Sequence, residues 1–232
     1  MLAGGLMLSI DAKPFAYELT VKKPALIIID MQRDFLEPGG FGAALGNNVS
    51  LAAACIPYVE TLLKAARALN LPIIHTRECH KADLSDCPPH KRIRGSAALR
   101  IGDMGPMGRI LIDAAPGNAI IPQLAPLAGE LELTKPGKGA FYNTHLHDYL
   151  IERGIEDLIF AGVTTEVCVQ TTMREANDRG YRCLLVEEAT ASYFPEYKTA
   201  CISMLTAQGG IVGWAANLEQ TLAGLYKAYG HE

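Results

Sequence analysis

Three side chains at separate points of the sequence carry the chemistry needed to open an amide bond: a carboxylate at Asp30, an amine at Lys135 and a thiol at Cys168. Cys168 closes the run Gly162-Val-Thr-Thr-Glu-Val-Cys168, between an apolar segment and a helical pattern that begins near Glu166. With Thr165 as N-cap, Cys168 falls in the first helical turn. There the positive end of the helix dipole is expected to lower the thiol pKa towards the thiolate. Backbone N–H groups of the same turn lack helical partners and can hold a developing oxyanion. Asp30 closes the apolar run Pro24–Ile29, where a carboxylate is costly to bury without a partner or a task. Lys135, in LTKPGKGAF, ends another candidate strand. Singly, these residues fit a buried thiol, a turn-capping aspartate and a solvated loop lysine. Converging from three strand ends, they make a nucleophile and an acid/base pair, the set required for acyl transfer from an amide.

Convergence requires strands whose ends meet, and the apolar pattern supplies them. Pro24–Ile29 and Leu71–Thr76 are continuous apolar, β-branched runs, suited to strands buried on both faces. Leu131–Thr134, Asp157–Ala161, Tyr181–Val186 and Gly210–Val212 are the further strands. Helical spacing marks Ile56–Leu69, Thr144–Glu152, Glu166–Arg179, Glu196–Leu205 and Leu218–Tyr226, with Gly180 as a stop signal. Strands alternating with helices imply right-handed crossovers and a mostly parallel sheet covered on both faces, here in a single α/β domain. Ligands in such sheets bind outside the carboxyl ends of the strands. That rule directs attention to Asp30, Arg77, Glu78, Lys135, Thr164 to Cys168, Glu187 and Glu188. The Pro- and Gly-rich stretch from Arg77 to Pro122 is too long for an ordinary connection and is read as a functional excursion.

Other function classes fare worse. With 25 acidic and 21 basic residues and a formal charge of −4, no general electrostatic drive towards nucleic acid or anionic membrane is expected. The longest apolar runs fall well short of the ~20 residues that span a bilayer. MLAGGLMLSIDAKPF has no basic residue ahead of its short apolar run and makes a poor leader peptide. Six cysteines without CxxC pairing suit reduced thiols in a cytoplasmic protein. His75, His80 and His90 lack HxH or HExxH spacing and are read as packing or surface residues, and His145 and His147 as exposed. Gly40, Gly42 and Gly46 stand too far beyond the first strand for a dinucleotide loop, and the position 20 residues past Gly46 is Ala66, not an acid. Neither metal nor cofactor is expected.

DMQRDF (Asp30–Phe35), KPGKGAF (Lys135–Phe141) and GVTTEVC (Gly162–Cys168) together resemble the isochorismatase-like cysteine hydrolases, in the family's order and over roughly Pro24 to Leu225. The resemblance implies a three-layer α/β/α fold around a six-stranded, mostly parallel sheet, commonly assembled as a homotetramer. It implies Asp30, Lys135 and Cys168 as catalytic triad. It also implies an oxyanion hole from the backbone N–H groups of Thr164 and Cys168, with a cis bond between Val163 and Thr164. Within the family, GGFGAALG, HTRECHKADL, KRIR, IGDMGPMGRIL, KPGKGAF, TTMREANDRGY and AQGG resemble the branch that hydrolyses biuret and triuret. On that likeness Phe35, Lys138 and Gln208 are the expected contacts to a small urea-like substrate. Ala140 departs from the serine of many members, and FLEPGGFGAALG differs from the biuret-cleaving pattern. The metal-binding nicotinamidase branch resembles the chain in its triad, but the D-x-H of that branch is missing after His75. Related amidases of N-carbamoyl amino acids, ureidoacrylate or nicotinamide are the alternatives, and a non-catalytic binding protein is disfavoured by three intact triad positions.

Overall fold

In the computed structural model, which describes residues 8–93 and 99–230, β1 (Ser9–Ile10) and β2 (Tyr17–Glu18) form a small antiparallel ladder ahead of the main sheet. Residues 1–7, on which the leader-peptide reading partly rests, and Arg94 of KRIR lie outside the described residues. The run that ends at Asp30 becomes β3 (Ala25–Ile29), buried along its whole length. Leu26 and Ile28 enter one apolar cluster, while Ala25, Ile27 and Ile29 enter another. Burial on both faces is the reason the run is continuous rather than alternating. Three short helices, α1 (Arg33–Leu36), α2 (Phe41–Ala44) and α3 (Val49–Ala53), lead to α4 (Ile56–Ala68). Residues Val49–Ala68 are long and apolar enough to cross a membrane by length and composition alone. Here Val59, Leu62, Leu63 and Ala66 turn into the first cluster, as their helical spacing predicts.

The chain continues through β4 (Ile73–Glu78), α5 (Pro89–Arg92), a hairpin of β5 (Met104–Gly105) and β6 (Gly108–Arg109), β7 (Leu131–Lys135), α6 (Leu146–Glu152) and β8 (Asp157–Val163). A π-type turn, Thr165–Val169, opens into α7 (Gln170–Asp178). Then come β9 (Arg182–Ala191), α8 (Pro195–Gly210), β10 (Trp214–Ala216) and α9 (Leu218–Tyr229). The main sheet has the order β10-β9-β8-β3-β4-β7 with every neighbouring pair parallel. Its two faces carry the two apolar clusters. This is the six-stranded α/β/α architecture the sequence implies. The chain runs outward from β3 to β4 and β7, then returns to the other side of β3 at β8. That reversal opens a crevice at the carboxyl ends of β3 and β8, the place such sheets offer a ligand. Asp30 and the Gly162–Cys168 segment border it.

The described residues of the Arg77–Pro122 stretch are folded rather than loose. Cys87, Ile101, Ile110 and Leu111 form a third apolar cluster, against which Phe35, Phe41, Leu84 and Leu99 pack. Two boundaries differ from the sequence reading for identifiable reasons. β4 continues past Thr76 to Glu78, because the Gln32 side chain bonds both the N–H and the carbonyl of Glu78 at 2.7 and 3.1 Å. The last strand is Trp214–Ala216 rather than Gly210–Val212. Gln208, Gly209 and Gly210 all take positive φ, so they form the turn that ends α8 and the strand begins later.

Candidate active site

Asp30 sits at the carboxyl end of β3 with φ of +48° and is fully buried. Thr76, on β4, donates its hydroxyl to Asp30 Oδ1 at 2.6 Å. Lys135, at the end of β7 and equally buried, holds its Nζ 2.7 Å from Asp30 Oδ2 and donates to the Gly137 carbonyl at 3.0 Å. The carboxylate is therefore fixed through both oxygens, one by a hydroxyl and one by an ammonium, which is how a buried charge becomes tolerable. Gly162 brings β8 against this corner. A Cβ there would lie 2.1 Å from the Ile29 carbonyl oxygen, and its φ is +108°, so only glycine fits. The Val163–Thr164 peptide bond is cis, as the resemblance implies.

Thr164, not Thr165, occupies the N-cap position, and its side chain makes no cap bond. The Thr165 hydroxyl is instead engaged with that of Thr190 on β9 at 2.8 Å. Cys168 lies inside the π-type turn, buried. Its carbonyl accepts from the Thr172 hydroxyl at 2.7 Å, and that hydroxyl oxygen in turn accepts from the Ala140 N–H at 3.1 Å. The KPGKGAF loop is thereby pinned to the turn that carries the thiol, and Ala140 is fully buried there.

The electrostatics differ from the helix-dipole expectation. Burial pushes the Cys168 thiol up, Lys135 and Lys138 oppose it, and Asp30 and Glu78 add to the rise. Desolvation wins because the sulfur sits in a closed corner, so the resting group is a neutral thiol that needs a base. For Lys135, burial alone would lower the pKa. The carboxylates of Asp30 and Glu78 outweigh it and hold the ammonium above its ordinary value.

Glu78 is the residue that sequence reasoning left without a role. It stood among the strand-end positions, but nothing in the sequence gave it a partner. It is buried, with Oε2 4.0 Å from Cys168 Sγ. Lys138 reaches its Oε1 and Oε2 at 2.7 and 2.9 Å, and Lys91, from α5, reaches Oε1 at 2.8 Å. Burial raises its pKa, but Lys138, Lys135 and Lys91 overcome that and hold it at about 2. Gln32 and Asn118 fix its backbone carbonyl at 3.1 and 2.8 Å, so the glutamine of DMQRDF positions a carboxylate distant in sequence. Lys138 thus joins the site through Glu78. Phe35 packs between the first apolar cluster and the third, and its carbonyl accepts from Tyr193 at 2.7 Å.

Gln208 does not join them. It lies at the far end of α8 beside Arg174, Asn177 and Asp178 of α7, the end of that helix opposite the thiol. Both α7 and α8 leave the carboxyl edge of the sheet and run back to the other edge, so residues at their ends are carried away from the crevice. His75 and His80 are buried, as packing residues are.

Asp30, Glu78 and Cys168 offer ligand-type atoms that lie within 4.8 Å of one another. The ammonium of Lys135 sits on Asp30 and those of Lys91 and Lys138 on Glu78. Three fixed positive charges disfavour a divalent cation at this position.

Comparison with known proteins agrees with this geometry. Residues 24–216 match the model of the isochorismatase domain. A ureidoacrylate amidohydrolase, RutB, of Azorhizobium caulinodans is 30% identical over 215 residues, covering 90% of this chain and 93% of the relative. Among solved structures, an isochorismatase family protein from Desulfovibrio vulgaris superposes with a TM-score of 0.71 at 27% identity, covering 87% of this chain and 99% of the other. A cysteine hydrolase from Pseudomonas syringae gives 0.77 at 24% identity, with 91% and 96% covered, a likeness of fold.

Proposed function

Because this chain belongs to the isochorismatase family, we propose that it is a cysteine-dependent amidohydrolase that cleaves a C–N bond of a small linear urea, biuret or triuret. The observation that carries the reading is the buried Asp30–Lys135 pair, with the buried Cys168 sulfur within 4.8 Å of the Asp30 carboxylate at the crevice between β3 and β8. Asp30 takes the Sγ proton, and Lys135 holds the resulting charge distribution in place. The thiolate attacks the urea carbonyl carbon, while the Thr164 and Cys168 N–H groups hold the oxyanion. Asp30 returns its proton to the departing nitrogen, which leaves as ammonia. Water deprotonated by Asp30 then attacks the S-acyl carbon. The C–S bond breaks, the thiol recovers its proton and a carboxylated urea is released.

Phe35 and Lys138 are proposed as substrate contacts, offering a ring face and a cation to a polar, planar molecule. A second reading rests on the 30% identity to an amidohydrolase named for ureidoacrylate. Ammonia release from biuret, triuret, ureidoacrylate, N-carbamoyl amino acids and nicotinamide, measured side by side, separates the two. The expected result is a kcat/KM for biuret or triuret at least about tenfold above every other compound. Ureidoacrylate or nicotinamide turned over faster than both linear ureas would overturn the substrate assignment.

The same assay tests metal independence. Since lysine ammoniums already sit on Asp30 and Glu78, exhaustive chelation should leave the rate unchanged. Loss of activity that zinc or manganese restores would contradict this account of the site.

A further inference from the structure

Glu78 turns one carboxylate oxygen towards the nucleophile. A carboxylate offers about four acceptor positions. Lys138 donates to Oε1 at 2.7 Å and to Oε2 at 2.9 Å, and the Lys91 ammonium forms an ion pair with Oε1 at 2.8 Å. Oε2 also accepts from the Cys168 thiol at 4.0 Å, a position vacated once that proton has passed to Asp30. An attacked carbonyl carbon lies about 3–3.5 Å from the nucleophile, which brings a nitrogen bonded to that carbon within reach of Oε2. Asp30, whose carboxylate lies within 4.8 Å of both the sulfur and Glu78, serves the nitrogen that departs.

We propose that Glu78 is a specificity-determining residue that accepts the N–H on the retained side of the scissile carbonyl, so that the site selects carbonyls flanked by nitrogen on both sides. The inference rests on the reading of the enzyme as a urea-cleaving amidohydrolase and adds the group that recognises the ureide. Held at about pKa 2 by three lysines, Glu78 stays ionised at neutral pH and is a poor proton acceptor. Its role is therefore a hydrogen bond and not base catalysis. Lys91 keeps it there. The Lys91 ammonium bonds Glu78, His80 Nε2 at 3.0 Å and the Pro136 carbonyl, and His80 Nδ1 in turn meets Asp86 at 3.3 Å. Through these contacts Lys91 positions Glu78 and ties the excursion to the KPGKGAF loop.

Biuret and malonamide separate this role from general polarity, because malonamide replaces the bridging N–H of biuret with a methylene. Binding is measured by calorimetry in Cys168→Ala, which cannot turn either compound over. Biuret is expected to bind at least about tenfold more tightly, the worth of a hydrogen bond to a charged acceptor. Biuret is also the more rigid of the two, so the deciding arm is Cys168→Ala combined with Glu78→Gln. There the neutral amide is a weaker acceptor and the ratio should fall at least about threefold. Glu78→Asp in the same background keeps the charge and withdraws the oxygen by one methylene, and it should also lower the ratio. It serves as the second variant if Glu78→Gln does not fold by thermal melting. Equal binding of biuret and malonamide, or a ratio unchanged in the folded Glu78 variants, overturns the role of Glu78. If the wild-type enzyme releases no ammonia from biuret or triuret, the functional reading itself fails, whatever the ratio.

Discussion

Exchange of one atom, sulfur for oxygen in Cys168→Ser, is expected to reduce kcat/KM by on the order of 10³-fold or more while leaving the fold intact. The reason lies in the balance of burial against charge at Sγ. Even as a thiol the group is held above its ordinary pKa, because its desolvation exceeds the help from Lys135 and Lys138. A serine hydroxyl is a much weaker acid and a weaker nucleophile in the same place. Asp30 can draw a proton from the first and not usefully from the second. The side chain is nearly isosteric, and Cys168 is not among the large core residues. The melting temperature should therefore move by no more than a few degrees, equivalent to less than about 1 kcal/mol. Ammonia release and thermal melting on the same preparation check both halves. Retained turnover in a folded Cys168→Ser enzyme would end the thiol mechanism.

What made this site legible was residue type at strand ends. An apolar run that ends in aspartate, a lysine after a short strand and a cysteine at a strand–helix junction are local signals, and the parallel sheet brings them together by topology. Glu78 was legible as a position but not as a partner. Its significance depends on Lys91, Lys138 and Gln32, which reach it from α5, from the loop after β7 and from the turn after β3. No local pattern joins residues spaced so unevenly. A motif likeness names Gln208 as a contact, and within one chain α8 runs from the carboxyl edge of the sheet to the opposite one and carries Gln208 away from Asp30 and Cys168. The thiol's pKa was misjudged for a third reason. A dipole at a helix start can be read from sequence, whereas the depth of burial that overrides it cannot. Thr165 was misplaced because its hydroxyl partner, Thr190, lies on a strand 25 positions on.

Lys135→Met should show how much of the corner at Asp30 is structural. In the wild-type protein the two charges are fully buried and 2.7 Å apart. Taking away the ammonium leaves one carboxylate in a closed site with only the Thr76 hydroxyl at 2.6 Å to satisfy it. Breaking a buried pair by removing one partner costs about 3–5 kcal/mol, most of it the penalty of the uncompensated charge that remains. Folding can escape that penalty by taking up a proton at the orphaned carboxylate. The folded variant then binds one more proton than its unfolded chain, so its stability decreases as pH rises and recovers as pH falls. In the wild-type protein the sign for Lys135 is the usual one for a raised ammonium. Its contribution is complete below the unfolded lysine value and is lost only as pH rises through the higher folded value. Denaturant unfolding of both proteins across the neutral to mildly acidic range should therefore show a deficit that is largest near neutrality and shrinks on acidification. Activity should be absent throughout, because a protonated carboxyl cannot accept the Cys168 proton. Asp30→Asn combined with Lys135→Met removes both charges, and it should regain much of the lost stability without regaining turnover. A deficit that stays constant with pH, or a double variant no more stable than Lys135→Met, would mean that the pair is not the electrostatic unit its geometry indicates.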